Sequence, residues 1–270
     1  MKDLFNNWKN VSAKIKKSAF ILLLLDFDGT LCPIVSHPDL VKVDKDILSL
    51  LNKLNKTRSI ILGFISGRPI ADVRKRLKLK NVYYVGNHGL ELKKPKSTKV
   101  EILAKGKIKN SLSLMRDLSK KLENEIKRYK GVWLEDKKYS LTLHYRMANN
   151  KNALIAKRIF SEIVGEIEKK KLVRVTRGKK VFEIRPPYKQ NKGTVVLKLK
   201  KIYLKKSPLL VYLGDDVTDE DVFEIMNTRD VSIHVGNNKK SKAIYSLKNV
   251  RAVADFLKRV YCLKVGELDA

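Results

Sequence analysis

The sequence predicts an α/β fold: a Rossmann-like parallel-sheet core interrupted by an inserted α+β domain. Three observations lead there. Apolar runs of strand length alternate with helical patterns over residues 20–86 and again from about residue 193, the rhythm of a parallel sheet with helices on its faces. Between these stretches, short alternating strands accompany two long amphipathic helices, an antiparallel α+β pattern. Carboxylates then close two core strands, Asp26 and Asp28 after one and Asp215, Asp216 and Asp219 after another. Strand ends of this kind are where open α/β sheets bind ligands.

Residues 1–18 are polar and basic, with Leu4, Trp8, Val11 and Ile15 spaced for one helix face. Phe20–Leu25 is a continuous apolar strand. Asp44–Asn55 has helical spacing through Ile47, Leu48, Leu51 and Leu54, and Ser59–Ile65 is a second buried strand. Ser66-Gly67-Arg68-Pro69 opens a helix, and Asn81–Gly86 is a short strand. The rhythm changes after about residue 95. Val100–Leu103 is strand-like, and Ser111–Tyr129 is a helix through Leu114, Leu118, Leu122 and Ile126. Val132–Leu134, Ser140–Arg146, Leu172–Thr176 and Val181–Arg185 read as strands, with a helix over Asn152–Lys169. Pro186-Pro187 marks the exit. A helix from about Gly193, strands at Leu209–Leu213 and Ser232–Val235, and a helix over Val250–Val260 resume the α/β pattern. The expected domains are residues 1–98 with 190–270, and residues 99–189 as the insertion.

The chain has 270 residues, enough for two domains, and 43% hydrophobic residues. Two cysteines far apart, Cys32 and Cys262, make no disulfide framework and point to a reducing compartment. The apolar run Ala19–Leu25 is too short to span a bilayer, and no small-residue cleavage site follows it. A cytoplasmic protein without membrane association is expected. The formal charge is +31. The lysines are spread along the whole chain without basic blocks or interleaved aromatics, so a solvated surface is expected rather than a specific nucleic-acid partner.

The strand-end residues fit phosphoryl transfer. Asp26, ionised at neutral pH, can attack phosphorus and carry an aspartyl-phosphate. Asp28, two residues on and directed the same way on an extended chain, can protonate the leaving oxygen and then activate water. Thr30 and Ser66 can donate to phosphoryl oxygens, and Lys192 can balance the charge of nucleophile and phosphate. Anion meeting anion calls for a hard cation, and Mg²⁺ suits oxygen ligands. Asp26, the main-chain carbonyl of Asp28 and Asp215 would hold it, with Asp216 and Asp219 as further ligands or water-orienting groups.

Asp26-Phe27-Asp28-Gly29-Thr30, Ser66, Lys192 and Gly214-Asp215-Asp216 resemble, in this order, the four motifs of the haloacid-dehalogenase-like phosphohydrolases. The insertion resembles that superfamily's C2-type cap. More closely, Tyr84-Val85-Gly86-Asn87-His88-Gly89-Leu90-Glu91, the segments from Glu135 to Arg146 and from Gly178 to Pro186, and Leu213 to Asp221 resemble trehalose-6-phosphate phosphatases. The resemblance implies release of phosphate from trehalose 6-phosphate in trehalose biosynthesis, with a cap that closes over the sugar. It places Glu135, Lys137, Arg146, Lys179 and Glu183 at the sugar hydroxyls, and Arg68, His88 and Asn191 near the phosphosugar. Glu91 is a further candidate, for the substrate or the cap. Cys32, where the family often has threonine, stands beside the site and is an oxidation candidate.

Two other enzyme substrates share such a core: sucrose 6-phosphate and mannosyl-3-phosphoglycerate. The cap segments favour trehalose 6-phosphate. A different class, a non-catalytic phosphate- or polyanion-binding protein, predicts salt-sensitive binding without turnover. Oligomeric state is not encoded in any of these features.

Overall fold

The computed structural model describes residues 1–178 and 180–266, with the backbone alone for 105–110. In chain order the first elements are β1 (Lys2–Asp3), α1 (Trp8–Lys17), β2 (Ile21–Leu25), α2 (Lys45–Lys56), β3 (Ile60–Ile65), α3 (Ile70–Leu77), β4 (Tyr83–Gly86), β5 (Glu91–Lys93) and β6 (Glu101–Ile102). Next come α4 (Lys105–Ile126), β7 (Trp133–Asp136), β8 (Leu141–His144), α5 (Asn150–Lys169), β9 (Arg174–Gly178) and β10 (Val181–Arg185). The chain ends with α6 (Lys192–Ile202), β11 (Leu209–Gly214), α7 (Glu220–Phe223), β12 (Val231–Val235), β13 (Tyr245–Leu247) and α8 (Val250–Val265). It divides into two compact units: Met1–Leu103 together with the chain from Gln190 onward, and Ala104–Lys189. Among the described residues no helix is long and apolar enough to cross a membrane.

The first unit is built on a mixed nine-stranded sheet in the order β1-β13-β12-β11-β2-β3-β4-β5-β6. Pairing is parallel from β1 through β4 and antiparallel from β4 to β6. Its central strand β2 reads Ile-Leu-Leu-Leu-Leu and is buried throughout, as a parallel strand covered on both faces must be. Alternate side chains divide between two cores. Ile21, Leu23 and Leu25 join Leu51, Val211, Leu213 and Phe256 on one face. Leu22 and Leu24 join Val195, Leu199, Leu210 and Tyr212 on the other. Each fully buried leucine contributes about 2 kcal/mol of transfer free energy, so this strand is anchored on both sides and its carboxyl end is fixed. The helices start where capping residues allow. Asp44 accepts from Asp46 N–H at the head of α2, and Asn191 forms a capping box with Thr194 at the head of α6.

The second unit has a four-stranded antiparallel sheet in the order β7-β8-β10-β9. One face packs Leu141, Leu143 and Ile184 against Leu118 and Leu122 of α4 and Ile159 and Phe160 of α5. By strand alternation, the opposite face carries Trp133, Glu135, Thr142, His144, Thr176, Glu183 and Arg185. The sequence pattern gives the main elements of both units. It misses β1, β5 and β13, strands of two or three residues whose pairing is set by their neighbours rather than by periodicity.

Candidate active site

Two adjacent parallel strands deliver the acidic groups to one sheet edge. Asp26 directly follows β2, and its N–H donates to Leu213 O at 2.9 Å, continuing the ladder between β2 and β11. Asp215 follows β11, and Lys192 is the first residue of α6. The buried Lys192 ammonium donates to Asp26 Oδ1 at 2.6 Å and to Asp219 Oδ1 at 2.7 Å. Asp26, Asp215 and Asp219 each place a carboxylate oxygen within 4.8 Å of the others.

Asp219 is held on all sides. Its Oδ1 accepts from Lys192 and from the Tyr212 hydroxyl at 2.5 Å, and its Oδ2 accepts from the N–H groups of Asp215 (3.1 Å) and Asp216 (3.0 Å). It therefore positions the Asp215 turn and the lysine. Close approach of Gly29 completes the cluster: at φ +82° it lies so near Asp215 that a Cβ would fall 2.0 Å from Oδ2. Thr30 Oγ1 lies 3.5 Å from Asp215 Oδ1. Asp216 is exposed and outside the three-carboxylate cluster.

Charge here is unbalanced, with three carboxylates around one ammonium. Burial, reinforced by Asp219 and Asp215, holds the Asp26 carboxyl well above its ordinary range, with Lys192 opposing. Burial and the Asp219 charge push Asp215 up to about 8. For Lys192, burial alone would favour the neutral amine, but Asp219 and Asp26 outweigh it and keep the ammonium. A second cation would relieve the remaining repulsion. The donors are all oxygen, which fits a hard divalent ion. Asp26 and Asp215 are the carboxylates positioned to bind it, since the oxygens of Asp219 are already engaged.

Asp28 is held by a different cation from the one that holds Asp26. The chain turns at Gly29, and Arg68 takes both Asp28 oxygens, Nε to Oδ2 at 2.6 Å and Nη2 to Oδ1 at 2.8 Å. Arg68 Nη1 binds Asp72 (2.7 Å) and the carbonyl of Pro38 (3.3 Å). Its guanidinium, expected near the phosphosugar, is thus occupied in holding Asp28. Arg76 extends the network to Asp72, Val41 O and Pro38 O.

Ser66 directly follows β3 and is buried, its Oγ accepting from Arg68 N–H at 3.0 Å. His88 packs its ring onto Gly67, where a Cβ would come within 2.5 Å of the imidazole. Glu91 is buried and accepts from Ile70 N–H at 2.8 Å, capping α3. Asn191 caps α6, its side-chain oxygen accepting from Thr194 N–H at 2.8 Å. Cys32 is buried, its thiol donating to Phe27 O, and burial with the Asp28 charge pushes its pKa far up. A protonated buried thiol is inert, which corrects the oxidation expectation.

In the second unit, the polar sheet face gathers Glu135, Lys137 and Glu183. Lys137 Nζ is 3.4 Å from Glu183 Oε1 and 3.9 Å from Glu135 Oε2. His144 and Arg185, which the sequence reading did not single out, join them: His144 Nε2 is 2.9 Å from Glu135 Oε2, and Arg185 donates to Thr176 Oγ1 at 2.6 Å. The Trp133 and His144 rings stack at 4.6 Å. Arg146 lies two residues beyond the end of β8. Lys179 lies outside the described residues.

With this geometry in hand, comparison with known proteins is direct. The trehalose-phosphatase family profile matches residues 24–251. The probable trehalose-phosphate phosphatase D of Arabidopsis thaliana is 32% identical over 92% of this chain and 69% of its own length. The trehalose-phosphate phosphatase of Mycobacterium tuberculosis is 31% identical over 88% of this chain and 60% of its own length, so this chain spans somewhat under two thirds of that relative. The C-terminal domain of the C. albicans trehalose-6-phosphate phosphatase superposes with a TM-score of 0.83 at 28% identity, covering 95% of this chain and 98% of that one. The chain belongs to the trehalose-phosphatase family of enzymes.

Proposed function

We propose that the protein hydrolyses trehalose 6-phosphate to trehalose and phosphate, through an aspartyl-phosphate on Asp26 and with Mg²⁺ as cofactor. The observation that carries this reading is the buried Asp26–Lys192–Asp219 array beside Asp215 at the carboxyl edge of the sheet. Family membership supports the substrate class.

When bound, Mg²⁺ would neutralise the carboxylates and the phosphoryl charge. The chain's own residues then divide the work. Lys192 holds Asp26 by one oxygen and keeps the carboxylate oriented toward phosphorus. An Asp26 oxygen bonds to phosphorus as the bond from phosphorus to the sugar oxygen breaks. Asp28 is the group that would pass a proton to that leaving oxygen. To reach it, Asp28 must exchange at least one Arg68 bond for the substrate. In the second step Asp28 takes a proton from water as the water oxygen attacks the acyl-phosphate, freeing phosphate and Asp26. Ser66 and Thr30 donate to the phosphoryl oxygens. The sugar would be held by the polar sheet face of Glu135, Lys137, Glu183 and His144, whose directional bonds discriminate among hydroxyl patterns.

The test is phosphate release from trehalose 6-phosphate, sucrose 6-phosphate, glucose 6-phosphate and mannosyl-3-phosphoglycerate, with Mg²⁺ and with EDTA. We expect release from trehalose 6-phosphate that EDTA abolishes and that Asp26→Asn lowers by about 10³-fold or more. Preference for another phosphosugar would keep the mechanism and overturn the substrate. No release from any would overturn both.

A further inference from the structure

The sheet that carries the catalytic edge has an opposite edge, where the parallel strands begin. Helices that connect parallel strands run counter to them, so their carboxyl ends meet there. The junctions are short: α1 ends at Lys17 and β2 starts at Ile21, and α2 ends at Lys56 and β3 starts at Ile60. Hydrogen bonds tie these junctions into one surface. Ile21 N–H donates to Ser59 O at 2.8 Å, Leu209 N–H to Phe20 O at 2.9 Å, and Asn55 Nδ2 to Lys80 O at 2.8 Å. Lys206 Nζ lies 4.6 Å from the centre of the Phe20 ring.

Charge is sorted between the two edges. Asp26, Asp28, Asp215 and Asp216 follow strands at the catalytic edge, and Asp46 and Asp72 lie in the first turns of α2 and α3. The opposite edge is basic. Lys17, Lys56, Arg58, Lys80, Lys205 and Lys206 are exposed around its junctions, and none is in an ion pair among the described residues. Asp230, at the same edge, is buried and bound by Lys200 at 2.9 Å. Neither α1, α6 nor the 3-10 turn Leu204–Lys206 contains an acidic residue. Cations at helix ends offset the helix dipole, which accounts for Lys17 and Lys56. It does not account for Arg58 and Lys80, which lie beyond the helix ends, nor for the apolar side chains among them. Ile202 is 48% exposed and Leu204 72% exposed. An exposed leucine alone is ordinary. Aliphatic side chains set among unpaired cations are what an interfacial surface presents to anionic lipid. A phosphodiester chain would use the cations and gain nothing from isoleucine and leucine.

We propose that this edge docks on an anionic lipid bilayer. Ile202 and Leu204 enter the headgroup region, the cations meet the lipid charge, and the catalytic edge points away from the membrane. The sequence expectation of no membrane contact rests on the lack of a spanning segment, which such a surface does not need.

The experiment is co-sedimentation with vesicles of phosphatidylcholine alone, or with about one-third phosphatidylserine, at about 0.1 M salt. One variant combines Lys17→Gln, Lys56→Gln, Lys205→Gln and Lys206→Gln. A control makes the same change of net charge on the second unit, with Lys120→Gln, Lys121→Gln, Lys127→Gln and Lys130→Gln, all exposed. A third combines Ile202→Gln and Leu204→Gln. Wild type should bind the anionic vesicles and leave the neutral ones. The first variant should lose about 100-fold or more, at about fivefold per charge, and the control less than about tenfold. The third should lose about tenfold on vesicles and keep its affinity for duplex DNA. Melting temperatures should match the wild type, since the replaced groups are exposed. No binding of wild type to anionic vesicles would overturn the proposal, as would an equal loss in the control. Full vesicle affinity in the third variant would make the edge a general polyanion surface instead. A loss that tracks a lower melting temperature would also count against docking.

Discussion

Arg68 grips both carboxylate oxygens of Asp28 while its remaining nitrogen binds Asp72 and the carbonyl of Pro38. The loop that follows Cys32 and the proposed acid–base residue are thereby tied to the start of α3. A lysine offers a point charge and cannot reproduce the fork. Arg68→Lys should therefore release Asp28, lower kcat by about tenfold and cost about 2 kcal/mol of stability, since the partly exposed Asp28 recovers some solvation. Urea unfolding and steady-state kinetics check this. Wild-type values for both would show that the fork is dispensable.

Tyr212 places its hydroxyl on the same Asp219 oxygen that Lys192 binds. Burial and the Asp219 charge push the phenol's pKa up, so it stays a donor throughout the working range. In Tyr212→Phe the oxygen keeps the lysine and loses one donor, at a cost of about 1 kcal/mol. A lower kcat with unchanged KM is expected, because Asp219 acts through Lys192 and not on the sugar. A change confined to KM would contradict that placement.

The acidic cluster sets the pH behaviour. Asp215 titrates near 8 in the folded chain against an ordinary 3.8, and Asp26 is raised as well. The folded state thus binds these protons more tightly than the unfolded state does. Their contribution to stability is complete below the ordinary carboxylate pKa and is lost as pH rises through about 8. A divalent ion requires the deprotonated carboxylates and acts in the opposite sense. Without metal, melting temperature should fall between about pH 5 and pH 8, and the increment from Mg²⁺ should grow over the same interval. A Mg²⁺ increment independent of pH would argue against ligation by this cluster.

Gly29 answers to two constraints at once, a φ of +82° and contact with the Asp215 carboxylate. Gly29→Ala violates both. A loss of about 2 kcal/mol or more is expected, together with weaker Mg²⁺ stabilisation, because the methyl group displaces Asp215. Thermal melts with and without the ion separate the two effects.

What the sequence made legible follows from how far each interaction reaches along the chain. Asp26, Asp215 and Lys192 could be placed together because a parallel sheet carries all its strand ends to one edge. The Arg68–Asp28 fork could not be read, since it depends on how the chain turns at Gly29 and spans 40 residues. Tyr212 reads as a core residue within an apolar strand, and only the position of Asp219 reveals its hydroxyl as a donor. His144 lies opposite Trp133 across two strands, a pairing fixed by register and invisible to periodicity. Asn191 also caps α6, a role that its place just before a helix and the threonine three residues on already spelled.

The second unit offers the sharpest test of the sugar-binding reading, because its polar sheet face is separate from the phosphoryl chemistry. Lys137 stands between Glu183 and Glu135, and Glu135 also meets His144. Glu183→Gln keeps the size of the side chain and removes the charge that holds Lys137. If this face grips the disaccharide, the variant should lose about tenfold or more in kcat/KM for trehalose 6-phosphate. A small phosphate ester with no sugar should be hydrolysed at nearly the wild-type rate, since the Asp26–Lys192–Asp219 array is untouched. An equal loss on both substrates would mean that Glu183 supports the fold of the sheet, and the source of sugar recognition would have to be sought elsewhere.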